Sequence, residues 1–404
     1  MWTRRATALL AGSCIFYVIG LANNLWAAYF LAGGALAWLA LSGLLAWRLG
    51  RRVEVSRTVG TPHVYVAEPV PVSISLTTAG PQTVTVREHV RNLTLDETQE
   101  VRWLAETAGQ PRVLRDKLTL ERRGHHRFEG VVAEVGDPLG LFRRQRRSGR
   151  TFDLMVYPRP LRLPHFPLFG MAALGLSDAR IDRQAGEAGD FYGVRPYQQG
   201  DELRHIHWKT TAHSGRLSIK QYQRRATSAT TIYLDCAADA HAGRQQASTL
   251  EQCVQAAADF AGYVCEERSP LRLVQAGEKL KVVPSDRGER QLTRVLEVLA
   301  LAKADGGTTL AQVIDGDQGA HLGSGTVVAI TPAADRELTR ALLTIRSRGA
   351  SLVVVTTPAH LYGGGSEAQS TEMFRALATA GATVYRLGPG DTMAGAMRAG
   401  GSWR

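Results

Sequence analysis

The sequence has few cysteines, and their spacing does not suggest a metal ribbon or a disulfide scaffold. Only Cys14, Cys236, Cys253 and Cys265 are present, and no two of them form a Cys-x-x-Cys pair. Zinc ribbons and small disulfide-rich folds need closely spaced cysteines, so both classes are disfavoured and a reducing compartment fits. The chain also lacks a Gly-x-x-x-x-Gly-Lys-Ser/Thr phosphate loop, a Gly-x-Ser-x-Gly elbow and a zinc-peptidase helix.

Charged side chains are missing from a long stretch near the start of the chain. No Asp, Glu, Lys or Arg occurs in residues 6–47, which are rich in Leu, Ala, Ile, Phe, Trp and Gly. One bilayer crossing needs ~20 apolar residues, and the polar pair Asn23 and Asn24 divides the stretch into two spans. The pattern predicts a transmembrane helical hairpin within residues 1–52. A cleaved signal peptide is the weaker interpretation, because it leaves the second span unexplained.

Arginines flank the predicted hairpin on both sides, at Arg4, Arg5, Arg48, Arg51 and Arg52. Positive flanks stay on the cytoplasmic side of a membrane. We therefore expect an inner-membrane protein whose remaining residues all lie in the cytoplasm.

Basic residues also outnumber acidic ones over the whole chain, at 48 Lys and Arg against 37 Asp and Glu, a net charge of +11. Such an excess needs an anionic partner. A basic flank beside the lipid bilayer accounts for it more simply than nucleic acid, since no aromatic interleaving or recognised helix motif accompanies the charges. The densest run fits either a solvated hairpin or a contact with lipid headgroups, and consists of Arg143, Arg144, Arg146, Arg147 and Arg150.

Two different apolar periods follow the hairpin. Over residues 53–160 short runs alternate apolar and polar side chains, as in Val70-Pro-Val72-Ser-Ile74-Ser-Leu76. A period of two is typical of half-buried strands, so we predict a small all-β, sandwich-like domain there. Over residues 231–404 buried strands alternate with amphipathic helices, which indicates a mostly parallel sheet covered on both faces, the doubly wound α/β class.

Residues 161–230, between these two regions, carry a specific motif. Its members are spaced as Arg-x-Tyr-x-x-Gly-Asp-x-x-Arg-x-Ile-x-Trp-Lys and comprise Arg195, Tyr197, Gly200, Asp201, Arg204, Trp208 and Lys209. This spacing resembles the signature of the domain-of-unknown-function 58 family of bacterial membrane-anchored proteins. The segments Arg123-Gly124, Asp137-Pro-Leu-Gly-Leu-Phe142 and Val156-Tyr-Pro158 are similar to further parts of that family.

The chemistry of the motif leaves three interpretations open. In the first, the motif is structural: it packs onto the following domain, with Trp208 as a large apolar anchor. In the second, Arg195, Arg204 and Lys209 contact phosphate or an acidic peptide. In the third, His205, His207 and His213 lie at alternate positions of a strand near Asp201 and bind a metal ion.

The family resemblance implies that residues 231–404 form a von Willebrand factor A-like domain, whose adhesion site binds Mg²⁺ through hard oxygen ligands. The site needs a strand-end Asp, two hydroxyls at the second and fourth positions after it, and a Thr from a neighbouring loop. Asp235 stands at the strand end, but Ala237 and Asp239 replace the hydroxyls, while Thr308 resembles the loop threonine. A metal-free scaffold and a weak Mg²⁺ site both remain open.

The resemblance also implies a function. Members of the family are associated with AAA-type ATPases of the MoxR kind, so we expect a membrane-tethered interaction or scaffold protein that serves such an ATPase in an envelope-related or chaperone-like process. We expect no enzymatic activity. The alternative is a metal-assisted hydrolase of cell-envelope material that uses Asp201, His205 and His207.

Overall fold

The computed structural model describes every residue except 1, 52, 79–80, 109, 138, 165–189, 199–202, 224–228, 245–246, 318–324, 365 and 400–404. The chain divides into two compact units. The first contains Met1–Arg159 with Leu296–Lys303, and the second contains Pro160–Val295 with Ala304–Arg404.

The first unit begins with two apolar helices, α1 (Arg4–Asn23) and α2 (Trp26–Arg51). Thr3 caps α1, and Asn24 ends it in the left-handed conformation, with φ 52°. Between the helices the Ser13 hydroxyl donates to the Ala32 carbonyl at 2.9 Å. Each helix is long and apolar enough to cross a membrane by length and composition. The predicted pair of N-terminal apolar helices is confirmed.

Nine strands follow in the first unit, arranged in two sheets. Three of them form one sheet in the order β1-β3-β6, and the other six form a second sheet in the order β2-β9-β7-β4-β5 with β8 paired to β7. Their bounds are β1 (Glu54–Val59), β2 (His63–Tyr65), β3 (Pro69–Thr77), β4 (Pro81–Asn92), β5 (Glu97–Ala108), β6 (Arg112–Thr119), β7 (Gly124–Gly136), β8 (Arg143–Ser148) and β9 (Phe152–Tyr157).

The predicted period of two accounts for the core between these sheets. Along β3 the side chains of Val70, Val72, Ile74 and Leu76 are buried and alternate with exposed or half-buried ones. They share one apolar cluster with side chains of the second sheet, among them the fully buried Phe128. Both sheets therefore bury one face against a common core.

The second unit begins with a small antiparallel pair, β10 (Asp190–Pro196) and β11 (Ser218–Gln223). A 3₁₀ turn (Leu203–His205) and a short helix, α3 (Trp208–Ser214), lie between them in sequence. The Ile206–Ile219 bridge joins this connection to β11, and both isoleucines are buried. The segment thus has a small apolar anchor of its own.

A six-stranded sheet dominates the second unit. In sequence its strands are β12 (Thr230–Asp235), β15 (Leu271–Ala276), β16 (Leu280–Asp286), β17 (Thr326–Thr331), β18 (Ser351–Thr356) and β19 (Thr383–Arg386). Their order in the sheet is β16-β15-β12-β17-β18-β19, and all neighbouring pairs are parallel except β15 with β16. The sequence predicted the five parallel strands. It missed β16, whose side chains are mostly exposed.

Short elements and helices complete this part of the chain. Two-residue strands β13 (Gly243–Arg244) and β14 (Ala247–Ser248) precede the helices α4 (Thr249–Glu266), α5 (Glu289–Ala300), α6 (Leu310–Gly316), α7 (Arg336–Ser347), α8 (Glu367–Thr379) and α9 (Met393–Arg398), and a 3₁₀ turn spans Ala359–Tyr362. On one face of the sheet Leu310, Leu342 and Phe374 pack in a cluster with Tyr233 and Val327. Because strand side chains alternate, Ile232 and Leu234 of β12 face the opposite side.

Candidate functional site

The carboxyl ends of the parallel strands meet at one edge of the sheet, which we call the rim, and Asp235 lies there at the end of β12. Its Oδ1 accepts the backbone N–H of Ala237 at 3.0 Å, and its Oδ2 accepts the hydroxyl of Thr331, the last residue of β17, at 2.6 Å. Asp235 is only 1% exposed, and burial raises its pKa. Neutral donors occupy both carboxylate oxygens.

His241 closes the turn that follows Asp235. Its Nε2 lies 3.0 Å from the Asp235 carbonyl oxygen, and its Nδ1 lies 3.0 Å from the Thr249 hydroxyl at the start of α4. A carbonyl oxygen only accepts, so this geometry assigns a proton to Nε2. Burial lowers the pKa of His241, which favours the neutral ring with Nδ1 as an acceptor. The imidazole therefore fastens the turn to α4.

An open cavity of about 270 Å³ adjoins these residues, and Asp235, Asp239, His241, Thr309, Asp335 and Ser370 are part of its lining. Two of these side chains are helix caps. Thr309 caps α6 together with Gln312, and Asp335 caps α7 by accepting the Leu338 N–H at 2.7 Å. Most of the polar side chains named in the cavity lining therefore already form hydrogen bonds with backbone groups.

The described rim residues do not fit a Mg²⁺ adhesion site. Both oxygens of Asp235 accept hydrogen bonds from the protein, and Ala237 offers no side-chain oxygen. Thr308 is exposed and is not part of the cavity lining, whereas its neighbour Thr309 is. Over the described part of the chain, no group of three or more His, Cys, Asp or Glu side chains could hold a metal ion. Asp235 and Asp239 are close together, but Thr308 does not join them.

The signature motif of residues 195–209 is only partly visible. Arg195 lies on β10 opposite Ile219 of β11, and the N–H of Tyr197 donates to the Leu217 carbonyl at 2.9 Å. Gly200 and Asp201 lie outside the described residues, as does the side chain of Arg204.

The prediction that the three histidines of the motif alternate along a strand is wrong. His205 ends a 3₁₀ turn, and His213 lies in the last turn of α3. His207 precedes α3 and caps it, because its Nδ1 accepts the backbone N–H of Thr210 at 3.1 Å. The His207 ring nitrogen thus accepts a hydrogen bond from an N–H group at the helix N-terminus, which stabilises the local fold. The strand geometry that suggested a metal site is absent from these residues.

Trp208 was expected to be a buried anchor, and this expectation is also wrong. Ile206 and Ile219 are the buried pair, whereas Trp208 begins α3 and is 67% exposed, and Lys209 beside it is exposed as well. Leu203 is 65% exposed and Leu217 is also exposed. Leu203, Trp208 and Leu217, in and just after the motif, are thus large apolar side chains exposed to solvent, and we call them the Trp208 patch.

The sequence analysis missed His241 at the rim, and it did not assign the side-chain contacts that Thr331 and Thr309 make there. Thr331 had a usable signal, because it ends a buried strand that lies beside β12 in the parallel order. The roles of His241 and Thr309 depend on turns whose partners are several residues away, at Asp235 and Gln312. Residue spacing alone does not reveal those contacts.

Comparison with known proteins agrees with the motif. The family model described as "Protein of unknown function DUF58" matches residues 193–361. The uncharacterized protein YeaD of Bacillus subtilis (strain 168) is 22% identical over 284 residues, which cover 69% of this chain and 69% of YeaD.

Solved structures give weaker likenesses. The CARDB domain of the PF1109 protein from Pyrococcus furiosus is 15% identical, with a TM-score of 0.19, over 26% of this chain and 86% of that one. A β-glucosidase from Listeria innocua is 10% identical, with a TM-score of 0.20, over 26% of this chain and 16% of that one. Scores this low carry no argument about fold or function. The motif, the family match and the relative agree, and together they support a DUF58-family domain at residues 193–361.

Proposed function

We propose that this protein is a membrane-tethered cytoplasmic scaffold, and that its partner is an AAA-type ATPase of the MoxR kind. The partner class comes from the family resemblance. A scaffold needs a tether, a rigid domain and an exposed contact surface, and features of the described chain support each of these in turn.

The tether is the pair α1 and α2, which by length and composition is able to cross a bilayer twice. Arg4, Arg5 and Arg48 are exposed at the same end of this helical pair. By the positive-inside rule that end is cytoplasmic, which places the β strands and the α/β unit on the inner side of the cell membrane.

The rigid domain is the six-stranded sheet with its helices. Five parallel strands with β12 near the centre and helices packed on them support a doubly wound, von Willebrand factor A-like interpretation. In this interpretation the rim at Asp235 is a hydrogen-bonded structural remnant of an adhesion site. We propose a non-catalytic role, because Asp235 and His241 at the rim form hydrogen bonds with backbone groups and hydroxyls.

The exposure of Trp208 is the observation that carries the proposal. Burying a tryptophan indole provides considerable hydrophobic free energy, which an exposed indole does not gain. Tryptophan is also enriched among the residues that dominate protein interfaces. Here it lies with Leu203 and Leu217 inside the segment that the family model matches. Large apolar side chains that stay exposed within one segment suggest a contact surface for a partner.

The test is recovery of an ATPase with the full chain extracted in detergent in the presence of ATP. We expect mass spectrometry to identify a MoxR-type ATPase with the wild type, and Trp208→Ala to lower its recovery at least tenfold, as a central interface tryptophan does. Leu104→Ala is the matched control, because Leu104 is 70% exposed on β5 in the other unit. It should leave recovery unchanged.

A second variant separates the Trp208 patch from the rim. In this double variant, Asp235→Ala removes the strand-end carboxylate at the rim, and Thr308→Ala removes the threonine that the family resemblance assigns to an adhesion site. Loss of the ATPase in this variant and not in Trp208→Ala would place the contact at the rim. If the wild type recovers no AAA-type ATPase, or if a reporter at the carboxyl terminus is active only outside the cytoplasm, the proposal is wrong.

A further inference from the structure

The turn between β7 and β8 packs against the helical pair. Its backbone is organised by Asp137, whose Oδ1 accepts the Phe142 N–H at 2.6 Å and whose Oδ2 accepts the Leu139 N–H at 3.1 Å. Gly140 has a φ of +69°, a conformation that favours glycine. This explains Asp137 and Gly140 of the Asp137–Phe142 segment as requirements of one tight turn.

The turn is joined to the start of α1. The N–H of Thr3 donates to the Leu141 carbonyl at 3.1 Å, and the Thr3 hydroxyl lies 2.9 Å from the Gly140 and Leu141 carbonyls. The rings of Trp2 and Phe142 meet edge to face with centroids 5.3 Å apart. Leu141 is buried in a cluster with Ala6 and Leu39, which belong to α1 and α2. The turn is therefore fixed at the end of the hairpin where the flanking arginines lie.

Strand β8 begins directly after this turn, and its residue Arg144 touches the end of α2. The Arg144 guanidinium donates to the Trp47 carbonyl at 3.4 Å, and its aliphatic part packs against Gly50. Carbonyls at a helix C-terminus attract cations. Because a strand advances about 3.3 Å per residue, Arg146 and Arg147 lie at most about 10 Å further along.

These two arginines are free to bind an anion. Both are exposed, and neither forms an ion pair with any residue that the structure describes. Arg143 differs, because it is paired with Glu134 at 3.1 Å. No Asp or Glu occurs in residues 138–152, so nothing in this segment neutralises them. A shield against edge-to-edge strand pairing is the simplest alternative role for such charges.

We infer that Arg146 and Arg147, with the helix-end residues Arg4, Arg5 and Arg48, form a surface that binds the phosphodiester headgroups of anionic phospholipids. The inference rests on the proposed membrane tether and names its lipid partner. Anionic headgroups attract adjacent basic residues at about 1 kcal/mol each, over roughly a Debye length of 8–10 Å. Arg146 and Arg147 lie within about 10 Å, along β8, of Arg144, which itself contacts the end of α2.

The experiment measures which lipid the full chain selects. Detergent-purified protein is reconstituted into nanodiscs that contain equal amounts of phosphatidylglycerol and phosphatidylcholine, and the lipids retained by the protein are then quantified by native mass spectrometry. We expect a preference for phosphatidylglycerol that falls about tenfold in Arg146→Gln/Arg147→Gln and disappears at high salt. Arg290→Gln/Arg336→Gln removes the same charge from exposed positions of the second unit and should keep the preference.

The outcomes are distinct. Arg146→Lys/Arg147→Lys retains the charge and should retain the preference, which excludes misfolding as the cause of a loss. An unchanged preference in the Gln variant would overturn the inference and leave strand protection as the role of these arginines. Tighter binding of a single-stranded oligonucleotide than of the anionic nanodisc would overturn it in favour of nucleic acid. Failure of the wild type to remain in nanodiscs would instead refute the tether itself, and with it the proposed function.

Discussion

The two units each bury carboxylates, but they stabilise them differently. In the first unit, Glu88 is fully buried on β4 and pairs with Arg57, whose guanidinium lies over the Phe128 ring at 5.2 Å from its centroid. In the second unit, Asp235 and Asp259 are equally buried, yet they accept hydrogen bonds from backbone N–H groups, a hydroxyl and an amide.

This difference changes how each carboxylate responds to mutation and pH. Burial raises the pKa of Glu88, and the Arg57 guanidinium opposes part of the rise. Burial also raises the pKa of Asp235, and it raises the pKa of Asp259 to about 6, with hydrogen bonds as the only opposing effect at Asp259. Removing one partner of a buried ion pair costs free energy, because the other charge is left unpaired. Ionising a buried carboxyl group that has no charged partner also costs free energy.

The largest expected effect comes from breaking the pair. Glu88→Ala leaves the Arg57 guanidinium buried without its carboxylate, and loss of one partner of a buried pair costs about 3–5 kcal/mol. We expect the urea midpoint of the full chain in detergent to fall accordingly. Glu100→Ala removes an exposed partner of Arg102, 2.7 Å away, and should leave the midpoint nearly unchanged. Equal shifts in the two variants would show that the buried pair is not special.

The next effect is a gain in stability at Asp259. Its pKa of about 6 exceeds the unfolded value of 3.8, so the unfolded chain releases this proton first and stability declines as the pH rises between the two values. Asp259→Asn removes that decline. A shift of about two units corresponds to about 3 kcal/mol, less the cost of an unpartnered amide N–H, so we expect a net gain of about 1–3 kcal/mol at pH 8.

Thermal unfolding at pH 5 and pH 8 measures this change, and the gain should be larger at pH 8. The same substitution at the exposed Asp315 is the control and should show no such dependence. A gain in stability from Asp259→Asn that is the same at both pH values would mean that the aspartate and asparagine side chains differ in packing, and not in ionisation.

At the rim we expect a threonine hydroxyl to stabilise the buried carboxylate, whereas in the first unit an arginine has this role. Thr331→Val removes the donor to Asp235 and the acceptor of the Ala333 N–H, at an expected cost of about 1–3 kcal/mol. Thr356→Val is a close control, because the Thr356 hydroxyl on neighbouring β18 is buried and has no hydrogen-bond partner among the residues that the structure describes. It should be neutral or slightly stabilising. Similar costs for both variants would contradict the Thr331–Asp235 contact.

The smallest expected effect is that of divalent cations. Because both Asp235 oxygens already accept protein donors, adding Mg²⁺ or chelating it with EDTA should leave the melting temperature of the full chain unchanged at constant ionic strength. A Mg²⁺-dependent rise in the melting temperature that Asp235→Asn abolishes would restore the adhesion-site interpretation.

The sequence was sufficient for features that depend on local periodicity. The apolar runs predicted α1 and α2, and the alternation of strands and helices predicted the parallel strands of the second unit. Contacts between distant positions were not predictable, since Arg57 and Glu88 are 31 residues apart and Thr331 and Asp235 are 96 residues apart. Only the folded order of the strands brings them together.

The errors at the signature motif have a local cause. His205 and His207 are spaced like residues of a strand, and this spacing concealed the capping role of His207 at α3. Trp208 was expected to be buried because of its size, but the neighbouring Ile206 is the side chain that pairs with Ile219 in the interior. Hydrophobicity alone does not indicate which of two adjacent apolar residues faces the core.

The tight connection between the first two helices limits where the protein can receive a signal. Only Asn24 and Leu25 separate α1 from α2, and Asn24 makes the reversal in a single left-handed step. In the proposed orientation, only this two-residue connection would lie beyond the far leaflet. Any stimulus from outside the cell would then have to arrive through neighbouring membrane helices or through the composition of the bilayer.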